Sequence, residues 1–116
     1  MATTLDWRYH RPGCTSCKKT EAYLEAHSIG TDEVRSTSRD RIEGEAALEL
    51  LDGIDTLVVA KGRKIVRFDL TADRPSDEEL LGHMLGRSGA LRAPSFRTGR
   101  TFVVGYNGDL LDEVLG

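Results

Sequence analysis

Tyr9-His10-Arg11-Pro12-Gly13-Cys14-Thr15-Ser16-Cys17-Lys18-Lys19 joins an apolar stretch to a helical one and holds the only two cysteines of a 116-residue chain. Upstream of it, Leu5, Trp7 and Tyr9 occupy alternate positions, the period of a strand with one buried face. Pro12-Gly13 breaks that strand, and a helix is expected from Cys14 to about His27. Both thiols therefore stand at a helix N-terminus, where unpaired N–H groups and the helix dipole stabilise negative charge on sulfur. Cys17 and Leu24 lie two turns apart on one helical face, which points Cys17 toward the core and leaves Cys14 accessible. That difference assigns attack to Cys14, as thiolate, and resolution of the resulting adduct to Cys17.

The rest of the composition bounds the setting of this pair. A 12.8 kDa chain fits a single domain, residues 1–116, around one core. Hydrophobic residues at 39%, charged residues at 30% and a net charge of −3 are those of a water-soluble domain, and they leave no electrostatic footprint for nucleic acid or an anionic membrane. No positive segment leads into a long apolar run, and the longest aliphatic stretch, Leu57 to Ala60, is far short of a membrane span. The chain reads as cytoplasmic. In a reducing compartment a lone CxxC points to catalysis, redox sensing or metal binding, because closing so short a loop removes little unfolded-state entropy.

Beyond the cysteines the elements alternate, with no repeat and no linker, which gives an α/β organisation. A short strand is expected at Thr31 to Arg35, then a helix from about Arg39 to Leu51 in which Ile42, Ala46 and Leu50 recur every four residues and which Gly53 ends. Thr56 to Asp69 is rich in β-branched residues on both sides of Lys61-Gly62-Arg63 and reads as a hairpin. Ser76-Asp77-Glu78-Glu79 is a capping box that opens a helix carrying Leu80, Leu81, Met84 and Leu85, closed by Gly86 or Gly89. Ser95 to Arg97 and Arg100 to Tyr106 flank Thr98-Gly99 as a second hairpin. Asn107 then caps a last helix with Leu110, Leu111, Val114 and Leu115.

Four segments in this order, YHRPGCTSCKK, SDEEL, LRAP and VVGYN, are similar to those of the ArsC/Spx family of thioredoxin-like proteins, which includes glutaredoxin-type arsenate reductases and the Spx transcription regulators. The resemblance covers nearly the whole chain. It implies a thioredoxin-like fold, a mixed central sheet flanked by helices, with Pro94 facing the cysteine loop after a cis bond from Ala93. It also implies a difference from relatives at Thr56 to Asp69, where they are largely helical or irregular. Family reductases grip an oxyanion with several arginines, one of them immediately before the proline. Here that position is Ala93, a second falls on Lys61 and a third matches Arg100. Lysine lacks the fork that holds two oxygens at once, so arsenate reduction is weakened. Arg92 and Lys18 match the regulator-like pattern, and Arg92 is assigned to stabilising the thiolate.

Three function classes follow. The first is a thiol–disulfide oxidoreductase acting on a protein disulfide or a small oxidised substrate, with Cys14, Cys17 and Arg92 catalytic. Thr15, Ser16, Lys18, Lys61, Pro94 and Arg100 bind, no cofactor is held, and glutathione or thioredoxin supplies electrons. The second is a redox-switched regulator that contacts RNA polymerase rather than DNA, with Gly53 in the contact region. The third is a metal-binding module using Cys14 and Cys17, which with His10 still fall short of a closed four-ligand site. Other residues have plainer readings. His10 is a solvated histidine, His27 and His83 are surface or packing residues, Trp7 packs in the core, and Arg63, Lys64 and Arg67 are solvated charges on a hairpin.

Overall fold

The alternation at Leu5, Trp7 and Tyr9 produces two strands, β1 (Thr4–Leu5) and β2 (Trp7–His10), separated by the exposed Asp6. The computed structural model describes residues 4–87 and 89–115. After β2 come α1 (Thr15–Ala26), β3 (Gly30–Thr31) and β4 (Val34–Ser36), then α2 (Glu45–Glu49). Two hairpins follow, β5 (Thr56–Lys61) with β6 (Lys64–Asp69) and β7 (Ser95–Thr98) with β8 (Thr101–Val104), separated by α3 (Asp77–Met84) and followed by α4 (Gly108–Leu115).

Six strands form one mixed sheet in the order β4-β2-β7-β8-β5-β6, while β1 and β3 pair in parallel beside it. The β2–β4 and β5–β8 pairs are parallel and the remaining pairs antiparallel. β5 lies inside this sheet, and its run Leu57 to Ala60 is buried throughout, as a strand covered on both faces must be. Its side chains alternate between two cores. Leu57 and Val59 join Trp7, Tyr9, Leu80, Met84 and Phe102 on the side of α2 and α3. Val58 and Ala60 join Leu24, Phe96, Val103, Leu110 and Leu111 on the side of α1 and α4. This is the mixed α/β, thioredoxin-like architecture that the resemblance implied, and the Ala93–Pro94 bond is cis.

Both hairpins form where turn residues flanked by β-branched runs placed them, with Gly62 and Gly99 at positive φ in the turns. Ser76 caps α3, its Oγ accepting from the Glu79 N–H at 3.2 Å, and Asn107 caps α4, its Oδ1 accepting from the Leu110 N–H at 3.1 Å. The segment before α2 differs from expectation. A helix over 39–51 shrinks to Glu45–Glu49, because Ile42 lies outside any helix and Glu43 forms a β-bridge. The Ile42 carbonyl accepts from the Leu91 N–H at 2.7 Å, and Glu43 bridges to Ala90. Ile42 still reaches the core, from a non-helical segment. The strand expected at 31–35 is divided into β3 and β4 by the bend at Asp32.

Candidate functional site

β2 carries the chain into the cysteine loop, and Gly13, at φ +77, makes the turn that an L side chain would resist. Cys14 is itself the N-cap of α1. Its backbone is extended, and its Sγ accepts from the Cys17 N–H at 3.3 Å. Its carbonyl takes the first helical hydrogen bond, from the Lys18 N–H at 3.0 Å. In an ordinary helix this cap is a hydroxyl or carboxylate oxygen; here a sulfur satisfies the orphan donor. Cys17 lies one turn on, with its Sγ accepting from the Arg11 N–H at 3.4 Å. Both thiols are free.

These contacts make the two sulfurs unequal. Burial acts to push the Cys14 thiol up, but hydrogen bonds from the Cys17 side chain and N–H, the Arg11 charge and the Ser16 N–H outweigh it and hold Cys14 below the ordinary thiol value. Cys17 is pushed up to about 12, first by burial and then by its neighbour Cys14. Of the two thiols, Cys14 is thereby the more readily ionised and Cys17 the less. Access differs less than expected: Cys17 is 0% exposed and Cys14 only 8%, because capping folds the Cys14 sulfur over the first turn.

The structure disperses some of the residues expected at this site. Thr15 and Ser16 form the first turn, and the Ser16 carbonyl accepts from Thr20 Oγ1 at 3.0 Å. Lys18 contributes its backbone, with its ammonium exposed. Pro94 stands at the start of β7 beside the end of β2, since Tyr9 pairs with Ser95. Lys61 ends β5, exposed, in register with Lys64. Arg100 lies at the opposite end of the sheet, in the β7–β8 turn, 3.7 Å from the Asp55 carboxylate, and takes no part in the cysteine loop. Arg92 is half-buried and donates from Nη2 to the Ala60 carbonyl at 3.0 Å. The charge acting on Cys14 is that of Arg11, which corrects the role given to Arg92.

Arg11 was legible as a cation three residues before Cys14, but the sequence does not say which way so exposed a loop side chain turns. His10 is half-buried, with Nδ1 enclosed and unpartnered, rather than solvated. Trp7 stacks on Tyr9 with ring centroids 5.7 Å apart, in the core as expected. Among the described residues no group of three or more His, Cys, Asp and Glu is placed to hold a metal ion. Among the same residues no helix is long and apolar enough to cross a membrane.

The ArsC family model matches residues 9–114. The chain is 31% identical over 108 residues to the regulatory protein MgsR of Bacillus subtilis, a match covering 89% of this chain and 85% of that one. It is 30% identical over 111 residues to the global transcriptional regulator Spx 1 of Oceanobacillus iheyensis, covering 92% and 84%. With the global transcriptional regulator Spx of Staphylococcus aureus it shares 26% over 108 residues, covering 90% and 82%. These relatives are named as regulators, not enzymes, and they overturn the expectation of a thiol-dependent oxidoreductase.

Proposed function

The chain belongs to the ArsC family, and on that footing we propose that it is a redox-switched transcription regulator of the Spx kind, whose switch is a Cys14–Cys17 disulfide and whose partner is RNA polymerase. The observation that carries this reading is the unequal thiol pair on the first turn of α1, with Cys14 held below and Cys17 well above the ordinary thiol value. Such a pair reacts in a set order. The Cys14 thiolate attacks one oxygen of hydrogen peroxide, the O–O bond breaks, and a sulfenic acid forms as hydroxide leaves and takes up a proton to become water. The Cys17 thiol then loses its proton and attacks that sulfur, the S–S bond forms and a second water leaves. Reduction by the glutathione or thioredoxin pool returns both thiols and closes the cycle in the cytoplasm.

Contact with polymerase rather than DNA fits the net charge of −3. Gly53, where the resemblance places that contact, is exposed in the turn that follows α2. The test is a redox titration in defined thiol/disulfide buffers, read by alkylation, with polymerase co-purification from reduced and oxidised cells. The expected result is one two-electron transition at roughly −200 to −300 mV, lost in Cys14→Ser and in Cys17→Ser, with polymerase recovered in amounts that follow it. If no intramolecular disulfide forms across that range, the switch is refuted.

A further inference from the structure

A cavity of about 530 Å³ opens between the cysteine loop, the end of β4 and the segment before Pro94, and four of the chain's 16 lysines and arginines line it: Arg11, Arg41, Arg87 and Arg92. Among the described residues no carboxylate lines it. Arg41 is paired with Glu43, but among the described residues no acidic side chain pairs with Arg11, Arg87 or Arg92. Arg92 is the inner member; its Nη1 is enclosed without a protein acceptor. In a chain of net charge −3, a concavity lined by three arginines with no acidic side-chain partner, and by a fourth paired with Glu43, is a local positive field that favours an anion. The volume falls in the range of small-molecule sites, and the guanidinium fork matches phosphate oxygens two at a time.

From this geometry we infer that the cavity binds a small anion carrying more than one phosphate group, and that its occupancy slows the redox switch through Arg11. Neither cysteine lines the cavity, nor do Lys61 and Arg100, so the ligand is held by arginines and is not a reactant at sulfur. Arg11 belongs to both places. It lines the cavity, and it is the cation that favours the Cys14 thiolate. An anion against Arg11 offsets that charge, so occupied protein holds less thiolate and reacts more slowly. By linkage, thiolate formation weakens the anion to the same degree. The effect on the switch rests on the redox reading above; the binding itself does not.

The test uses inorganic tripolyphosphate with the reduced full-length chain at about 0.15 M salt. Calorimetry should show one saturable site, weakened about ten-fold or more in Arg87→Ala and in Arg41→Ala and unchanged in Arg63→Ala, an exposed hairpin control. Saturation should slow iodoacetamide alkylation of Cys14 about 3- to 10-fold, the equivalent of a half-unit to one-unit rise in pKa, and the slowing should vanish in Arg11→Ala. Cys14→Ser, which forms no thiolate, should bind the probe at least as tightly as the parent does, which separates loss of the site from loss of the switch. Absence of a saturable site, or equal weakening in Arg63→Ala, would overturn the site. Unchanged alkylation at saturation would overturn the coupling.

Discussion

Gly105→Ala tests the closest approach in the fold. Gly105 follows β8, its N–H donates to the Pro94 carbonyl at 2.7 Å, and its φ is +92. A Cβ added there would meet the Ala60 carbonyl oxygen at 2.5 Å and the Ala60 Cβ at 3.3 Å. The nearer obstacle is backbone of a central strand, which cannot swing aside, and its oxygen already accepts from Arg92. A positive φ costs an L residue about 1–2 kcal/mol, and forcing an extra methyl into packed surroundings costs about 1–3 kcal/mol. The restricted unfolded chain offsets about 0.4–1 kcal/mol of that. The net expectation is a loss of about 2–4 kcal/mol, which lowers Tm by roughly 10 °C or more in a domain of this size. Urea denaturation of the reduced protein reads it as a lower midpoint at unchanged m. Gly82→Ala, in the interior of α3 with nothing within 4 Å of the new methyl, is the internal comparison. It should gain up to about 1 kcal/mol from helix propensity. A Gly105→Ala protein as stable as the parent would refute the account of the β5–β8 end of the sheet.

Three further outcomes follow from named contacts. Tyr9→Phe removes a buried hydroxyl that donates to the Asp40 carbonyl and accepts from the Ile42 N–H, so it should cost about 1–3 kcal/mol in denaturation; a neutral result would mean that these groups find other partners. Because the folded Cys17 is raised from 9.0 to about 12, its contribution to stability is complete below pH 9 and is lost as pH climbs toward 12. Cys17→Ser should flatten the alkaline limb of a stability–pH curve, and an unchanged limb would contradict the burial assigned to this sulfur. Arg11→Ala should move the pH midpoint of Cys14 alkylation upward, and by more than Arg92→Ala does. The reverse order would return the thiolate-stabilising role to Arg92.

What the sequence conveyed and what it withheld divide along one physical line. Signals written in neighbouring residues were legible: the Ser76 and Asn107 caps, the two glycine turns and the cysteine pair each depend on a handful of consecutive positions. The period at Ile42, Ala46 and Leu50 was equally local and still misled. Ile42 earns its burial by pairing with Leu91, 49 positions away, and no window of sequence contains that partner. The same limit hid the cavity. Arg11, Arg41, Arg87 and Arg92 occur one at a time along 82 residues, with no local pattern that joins them, and only the β2–β7 register and residues 86–87 and 90–93 bring them to one opening. Arg92 shows the limit within a single residue. Its position before Pro94 pointed to the cysteines, yet its guanidinium turns to Ala60, because a half-buried fork must satisfy its donors and the edge of β5 presents the carbonyl. Chemistry carried by one turn of chain is thus readable before folding, whereas the cluster of charges at the cavity is assembled by the sheet.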